Sequence, residues 1–209
     1  MTTDINLSST VSTASAPPSA ALTDPRERLL AATEQLIYQG GICATGMDLI
    51  VQTSGVARKT LYRYFRTKDD LVAEALRQRD QRWMHWFIES VGNAGTPRER
   101  LLKLFQVLQG WFDSAGFRGC AFINAAGEIG DPHDPVRVVA KLHKEKLLAY
   151  VRELCEAYGA EQPENLAQQL MILIEGAITV ALVSGDTDSA TRAQVLARLL
   201  LDQQRPHEA

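Results

Sequence analysis

A short basic stretch with aromatic residues between its charges is the clearest chemical feature of this sequence. Residues 56–68 contain no acidic residue, and their cations are Arg58, Lys59, Arg63, Arg66 and Lys68. The interleaved aromatic residues are Tyr62, Tyr64 and Phe65. Lysine and arginine neutralise phosphates, and arginine can bond both acceptors on the edge of a guanine. The stretch is therefore typical of a nucleic-acid-binding surface.

Two short helices joined by a tight turn must position these charges. We predict the first helix at about residues 46–53, with the Thr45 hydroxyl as its N-cap. The turn covers residues 54–56, where Gly55 permits a positive φ. The second helix follows at residues 57–64 and carries the basic face. This order predicts a helix-turn-helix, in which one helix braces and the other enters the major groove.

The run GVARKTLYRYFRTKDDLVAEAL resembles the DNA-binding domain of TetR-family transcriptional regulators. The shared features are a Gly-Val turn, a Thr-Leu-Tyr core, a Tyr-Phe pair, and then Lys with an acidic pair. The preceding helix, RERLLAATEQLIYQGG, is similar as well. One departure is Ala57, where the family has the Ser or Thr that caps the recognition helix. Loss of such a cap costs about 0.5–2 kcal/mol.

The resemblance implies a set of DNA contacts, which are Thr45, Arg58, Lys59, Thr60, Tyr62, Tyr64 and Lys68. Arg58 and Lys59 open the recognition helix, where side chains reach base edges. The hydroxyls of Thr45 and Tyr62, with the ammonium of Lys68, would hold phosphates. Leu61 and Phe65 are one turn apart and are expected to pack inward, and Tyr64 could also be core. Arg63 and Arg66 could equally lie on a solvated face.

Composition limits the class of protein. The chain has 209 residues and a net charge of −3, so a DNA site must be local. The three cysteines and four histidines show no disulfide or metal-ligand spacing, so we expect neither a metal site nor a cofactor. A phosphate loop and a nucleophile elbow are also missing, which argues against an enzyme. We find no stretch of about 18 apolar residues, and expect a cytoplasmic protein without a membrane span.

The helical periodicity predicts an all-α fold of about nine helices. Residues 1–23 are rich in Ser, Thr, Ala and Pro and are expected to be a disordered tail. An alternative for this tail is an arm that tracks DNA. Residues 24–70 would form a three-helix DNA-binding domain, in which Ile42 fills the core. Residues 71–209 would form a larger ligand-binding and dimerisation domain. The predicted helices begin near residues 24, 46, 57, 68, 97, 120, 135, 163 and 189.

The resemblance also implies an effector pocket enclosed by helices 4 to 8. Aromatic and polar candidates are Trp83, Trp86, Phe105, Trp111, Phe112, Cys120, Phe122, Asn124, Glu128 and His143. Each aromatic residue could instead be plain core. Cys120 follows Arg118 at the start of a predicted helix, a position that favours a thiolate. It could therefore sense electrophiles or oxidants, as in some TetR-like regulators, or it could be a small buried residue at a bend.

The last two predicted helices carry a broad apolar face. Its members are Leu166, Leu170, Leu173, Ile174, Ala177, Ile178, Ala181, Leu196 and Leu200. The face indicates either a buried helical hairpin or a dimer interface. The family favours a homodimer, which would present two recognition helices to a palindromic operator as a ligand-released repressor. A helical adaptor without DNA binding is the alternative, and the intact basic helix argues against it.

Overall fold

The computed structural model describes residues 24–92 and 95–203, and the expectation for the tail lies outside these ranges. The described residues form nine α-helices and no strand, as the periodicity predicted. The helices are α1 (Pro25–Gly40), α2 (Met47–Ser54), α3 (Arg58–Tyr64), α4 (Lys68–Gly92), α5 (Pro97–Phe112), α6 (Ala121–Glu128), α7 (Pro135–Tyr158), α8 (Pro163–Ser184) and α9 (Ser189–Gln203).

Capping residues explain most helix boundaries. Asp24 accepts a hydrogen bond from the Arg26 N–H at 3.1 Å, and Pro25 occupies the first turn of α1. Asp134 caps α7 in the same way. The prediction for Thr45 was wrong, because Gly46 is the N-cap of α2. The Thr45 hydroxyl instead donates to the Gly41 carbonyl at 2.7 Å, closing the loop between α1 and α2.

Two hydrophobic cores share the long helix α4. The smaller core joins α1, α2 and α3 and includes Leu29, Ile50, Leu61, Leu71 and Ala75. The larger core joins the C-terminal helices to other α4 residues, which include Val72, Leu76, Trp83 and Phe87. The buried residues of α4 are thus divided between the smaller and the larger core. Ile42 belongs to the larger core, so its predicted place in the three-helix core was wrong.

The predicted dimer face of α8 lies inside the subunit. Leu166, Leu170, Ile174, Ala177, Ile178 and Ala181 are all buried in the larger core, where α8 packs against α7 and α9. Leu173 and Leu200 are half-buried and pack against this core. Only Leu196 of the predicted set is exposed. The broad face was correctly identified as apolar, but its partner is the chain's own core.

A second apolar face of α8 and α9 is exposed. Its residues are Ile172, Val180, Val183, Val195, Leu196 and Leu199. Among the described residues, α8 is also the one helix long and apolar enough to cross a membrane. That is weak evidence for a span, because a packed core helix passes the same test.

Candidate nucleic-acid interface and cavity

A side chain of α1 holds the turn between α2 and α3 in place. Gly55 has φ +63°, and a Cβ there would lie 2.6 Å from Nη2 of Arg28. The same Arg28 nitrogen donates to the Ser54 carbonyl at 2.6 Å. The left-handed backbone therefore favours glycine, and a larger residue would also displace the Arg28 guanidinium. This contact sets the position of α3 relative to the small core.

The two faces of α3 separate as the sequence predicted. Leu61 and Phe65 are buried in the small core, which confirms that they pack inward. Tyr62 is 48% exposed, Tyr64 and Lys59 are also exposed, and Thr60 is half-buried. The outer face thus combines a cation with phenolic and alcohol hydroxyls, the groups that meet phosphates and base edges. Ala57 is the N-cap of α3 and provides no side-chain hydrogen bond.

Arg58 forms an ion pair that the sequence analysis missed. Its guanidinium bonds the Asp48 carboxylate of α2, and both side chains are exposed. The acid lies ten positions earlier, outside the basic stretch, so only the packing of α2 against α3 brings the two together.

Two predicted DNA contacts are used inside the protein. Thr45 is only 2% exposed, and its hydroxyl is bonded to Gly41, so a phosphate cannot reach it. The Lys68 ammonium is half-buried and donates to the Ile42 carbonyl at 3.0 Å. Both residues hold the loop between α1 and α2.

A narrow cavity lies in the larger core. Five of the ten predicted pocket residues line it, namely Trp83, Trp111, Cys120, Phe122 and His143. The rest of the wall, which the sequence did not predict, consists of Arg79, Ala121, Lys144, Leu147 and Ile178. The enclosed volume is about 10 Å³, which is room for one water molecule, so a larger ligand would have to move the walls apart. Aromatic walls with a few charged groups are the usual composition of a small-molecule site.

The other five predicted pocket residues lie elsewhere. Phe105 and Phe112 are core residues, and Trp86 packs beside Trp83 with ring centroids 6.0 Å apart. Asn124 and Glu128 line a second narrow cleft, between α1 and α6. Helical spacing could not separate core from cavity, because both use the same apolar side chains.

Cys120 lies in an unusual electrostatic environment for a buried thiol. Burial raises its pKa, but the nearby Lys144 charge and the adjacent His143 side chain outweigh burial and lower the pKa from the usual value. Lys144 Nζ is 3.3 Å from Cys120 Sγ and 2.7 Å from a Glu175 oxygen. By contrast, burial raises the pKa of Cys155 to about 12. Cys120 is thus set apart from Cys155 by its charged neighbours.

The cavity wall is bonded directly to α1. The Tyr38 hydroxyl donates to the Gly119 carbonyl at 3.0 Å and accepts from the Arg118 N–H at 2.9 Å. The guanidinium of Arg79, a cavity residue, lies 3.9 Å from the centroid of the Tyr38 ring. These contacts connect the residues just before Cys120 to a helix of the small core.

The far end of α6 is bonded to the same region. Glu128 accepts hydrogen bonds from the Ile42 N–H at 2.9 Å and the Cys43 N–H at 2.7 Å. Both ends of this short helix are therefore attached to α1 or to the loop that follows it.

An exposed basic helix braced by two others, joined through α4 to a larger helical unit with a cavity, defines a helix-turn-helix DNA-binding protein. Comparison with known proteins identifies the family. Residues 29–75 match the domain described as "Bacterial regulatory proteins, tetR family", and residues 97–196 match the "Tetracyclin repressor-like, C-terminal domain". The chain belongs to the TetR family of DNA-binding transcriptional regulators. These proteins are regulators rather than enzymes.

Three relatives illustrate the likeness. A crystal structure of a TetR-type regulator from Streptomyces avermitilis is 30% identical, with a TM-score of 0.80, and covers 88% of this chain and 100% of that chain. The Escherichia coli regulator YjdC is 25% identical over 171 residues, or 80% of this chain and 90% of YjdC. The E. coli repressor NemR is 28% identical over 116 residues, which are 54% of this chain and 58% of NemR.

Proposed function

We propose that this regulator is a repressor that binds a palindromic operator as a homodimer and leaves DNA when a small molecule occupies the cavity. The exposed basic face of α3, held by Leu61 and Phe65 in the small core, carries the proposal. Residues 24–70 would act as the DNA-binding domain and residues 71–209 as the ligand-binding and dimerisation domain. The protein would act in the cytoplasm, where bacterial DNA lies.

The proposed contacts follow from exposure. Arg58 and Lys59 lie at the start of α3 and would read base edges, while Thr60, Tyr62 and Tyr64 would bond phosphates. Lys68 stays in the set, since an ammonium has three donors and the Ile42 carbonyl takes one. Thr45 does not belong to the proposed DNA contacts, because its hydroxyl is buried. Asp48 would orient the guanidinium of Arg58 before DNA arrives.

The dimer surface is assigned to the exposed face of α8 and α9. Ile172 is 71% exposed and Val183 79%, and Val195, Leu196 and Leu199 extend the face along α9. Two such faces packed about a two-fold axis would form a four-helix bundle. The axis would place the two α3 helices one DNA turn apart, about 34–36 Å.

Release would begin in the cavity. A ligand that prefers a different spacing of α6, α7 and α4 would shift α1 through Tyr38, and the two α3 helices would no longer fit successive grooves. The effector is a small organic compound, and an electrophilic or oxidising compound acting at Cys120 is the more specific candidate. NemR is named a repressor, and its matched structure, 24% identical, is described as the reduced form, which favours this direction.

The decisive experiment uses fluorescence anisotropy to measure binding to the DNA that flanks the gene, at two salt concentrations. Arg58→Ala/Lys59→Ala should lose selective binding, because it removes both proposed base contacts, each worth about 1–3 kcal/mol. Lys141→Ala/Arg152→Ala is the matched control, since it removes two charges from the distant helix α7. Weak binding to any sequence, equal in all three proteins, would contradict the proposal.

A further inference from the structure

Asp48 is the one acidic residue in the sequence between residues 35 and 68, the stretch that contains α2 and α3. It lies in the first turn of α2, and its side chain is 82% exposed. Its carboxylate bonds the guanidinium of Arg58, the first residue of α3, whose side chain is 56% exposed. An ion pair so open to water contributes little to folding. The stability of the fold therefore does not explain an acid at this position.

The two side chains of this ion pair are attached to helices that are held in place. Ile50 of α2 and Leu61 of α3 are fully buried in the smaller core. Arg28 of α1 bonds the Ser54 carbonyl at the end of α2, at 2.6 Å. Because neither helix can shift easily, the carboxylate of Asp48 defines where the guanidinium of Arg58 lies.

The ion pair leaves Arg58 able to read a base. A guanidinium has five N–H donors, and Oδ1 of Asp48 accepts from Nη2 alone. The remaining donors are enough for the paired contact with the O6 and N7 acceptors of a guanine. An arginine that is already held in place also loses less side-chain freedom when it binds. Asp48 therefore favours the contact of Arg58 with a guanine edge.

The same ion pair weakens the attraction of Arg58 to phosphates. A free guanidinium gains affinity from any phosphate, whatever the sequence, because the contact releases counterions. Arg58 and Asp48 together have no net charge, so this gain is largely cancelled, whereas hydrogen bonds to a guanine remain. Arg63 and Arg66, which have no carboxylate partner among the described residues, would keep the affinity that depends on charge alone.

We propose that Asp48 is a specificity-determining residue, which directs Arg58 to a guanine in each operator half-site and keeps it from binding phosphates at random. Specificity is a difference between two affinities, and Asp48 lowers the affinity for other DNA more than the affinity for the operator. Asp48 is a positioning residue, since it acts on DNA through Arg58. This inference rests on the proposed DNA-binding function of α3 and assigns its selectivity to a residue of α2.

The test is selection from a library of random-sequence duplex DNA, in which the fragments bound by each protein are sequenced. The wild type should enrich a two-fold symmetric site with a guanine in each half-site that Arg58→Ala no longer selects. Asp48→Asn should weaken the preference for that same guanine about tenfold, because Arg58 is then free to turn to a phosphate. The double variant Asp48→Asn/Arg58→Ala should match Arg58→Ala, because Asp48 acts through Arg58.

Fluorescence anisotropy measures a second consequence of removing the carboxylate. Asp48→Asn should bind a duplex of unrelated sequence more tightly, and its log–log salt slope should steepen by about 0.9, because one more phosphate is neutralised. Asp69→Asn is the matched control, since it makes the same change of charge in the first turn of α4, where the carboxylate is not bonded to Arg58. This control should keep the wild-type preference for guanine.

Urea denaturation shows whether the variants are folded. The midpoint of Asp48→Asn should stay near that of the wild type, because the ion pair is exposed. Asp48→Ala also removes the charge and should change the base preference in the same way. It takes the place of Asp48→Asn if the asparagine variant does not fold.

The outcomes separate this inference from the proposed function. A wild type that enriches no sequence would contradict the proposed function and the role of Asp48 with it. A wild type that selects its site, with the same guanine preference in Asp48→Asn, would overturn only the role of Asp48. Equal losses in Asp48→Asn and Asp69→Asn would assign the effect to net charge and overturn that role too. So would a preference lost at a different base pair from the one lost in Arg58→Ala.

Discussion

At residue 57, α3 begins without a side-chain hydrogen bond. Ala57 has the extended backbone of an N-cap, with φ −61° and ψ 140°, but its methyl group cannot accept from the free N–H groups of the first turn. The first turn of the recognition helix is therefore held by the backbone N–H groups of Thr60 and Leu61, which donate to the Ala57 carbonyl.

Ala57→Ser should restore this cap. The hydroxyl would accept from an N–H of the first turn, and the free energy of unfolding should rise by about 0.5–2 kcal/mol. Urea denaturation followed by circular dichroism measures the change. Ala57→Val is the control, since valine supplies no acceptor and is as poor an N-cap as alanine. A serine variant no more stable than the wild type would show that α3 does not use a side-chain cap.

Glu128 shows how one carboxylate holds the link between α6 and α1. Burial raises its pKa, but the N–H groups of Cys43 and Ile42, with the charge of Lys68, outweigh burial and lower the pKa below the usual 4.5. Because the pKa is lower in the folded state, the ionised carboxylate stabilises the fold at pH values above the pKa of the unfolded chain. That contribution disappears as the pH falls through the lower folded value.

Glu128→Gln should therefore reduce stability at pH 7 by about 1 kcal/mol, since the site is partly solvated. The difference from the wild type should shrink as the pH falls below about 4.5, where the wild-type carboxylate becomes protonated. Urea midpoints of both proteins at pH 7, 5 and 4 measure this trend. The control is Glu145→Gln, the same acid-to-amide change at an exposed residue of α7. A gap that is the same at all three pH values would contradict the assignment.

Helix α6 acts as a strut because both of its ends are attached to other elements. Before its first turn, the backbone of residues 118–119 is bonded to Tyr38, and its last residue, Glu128, is bonded to the loop after α1. An eight-residue helix is too short to hold its position by its own hydrogen bonds. Its position therefore follows from these attachments and from its packing on α7.

Gly119→Ala should weaken this strut. The backbone there has φ +75°, and the new methyl group would overlap Leu182, so we expect a loss of about 1–3 kcal/mol in the free energy of unfolding. Gly110→Ala is a matched control in α5, where a Cβ meets nothing within 4 Å. The control should gain up to about 1 kcal/mol, because alanine favours the helix. Equal effects of the two substitutions would show that Gly119 is not constrained.

The exposed apolar residues of α8 and α9 form the surface on which the proposed dimer would assemble. Each helix has two apolar faces, one packed in the larger core and one exposed. Large exposed apolar patches mark interaction surfaces. A two-fold partner is consistent with the need to read two half-sites.

Val183→Glu should convert the proposed dimer to a monomer and weaken operator binding, because it places a charge at the most exposed apolar residue of the proposed face. Light scattering after size-exclusion chromatography measures the mass. Ile88→Glu, on the exposed side of α4, is the control and should remain dimeric. A Val183→Glu protein that stays dimeric with wild-type DNA affinity would place the interface elsewhere.

Helix starts and helix faces could be predicted from the sequence, because they depend on residues within a turn or two of each other. Asp24, Asp134 and the prolines after them predicted the starts of α1 and α7, because caps act within one turn. The alternation of Arg58, Lys59 and Tyr62 with Leu61 and Phe65 predicted both faces of α3, because a helix repeats every 3.6 residues.

The partner of each apolar or polar group depends on how the helices pack together. Leu170 and Val183 are both apolar and lie on the same helix, but one is buried against α7 and α9 and the other is exposed. Thr45 looked like a phosphate ligand, yet its hydroxyl is buried and bonded to the carbonyl of Gly41. Asp80 and His143 are 63 positions apart and meet only because α4 packs against α7. Local sequence sets the conformation of each helix, whereas contacts between helices depend on how the whole chain packs.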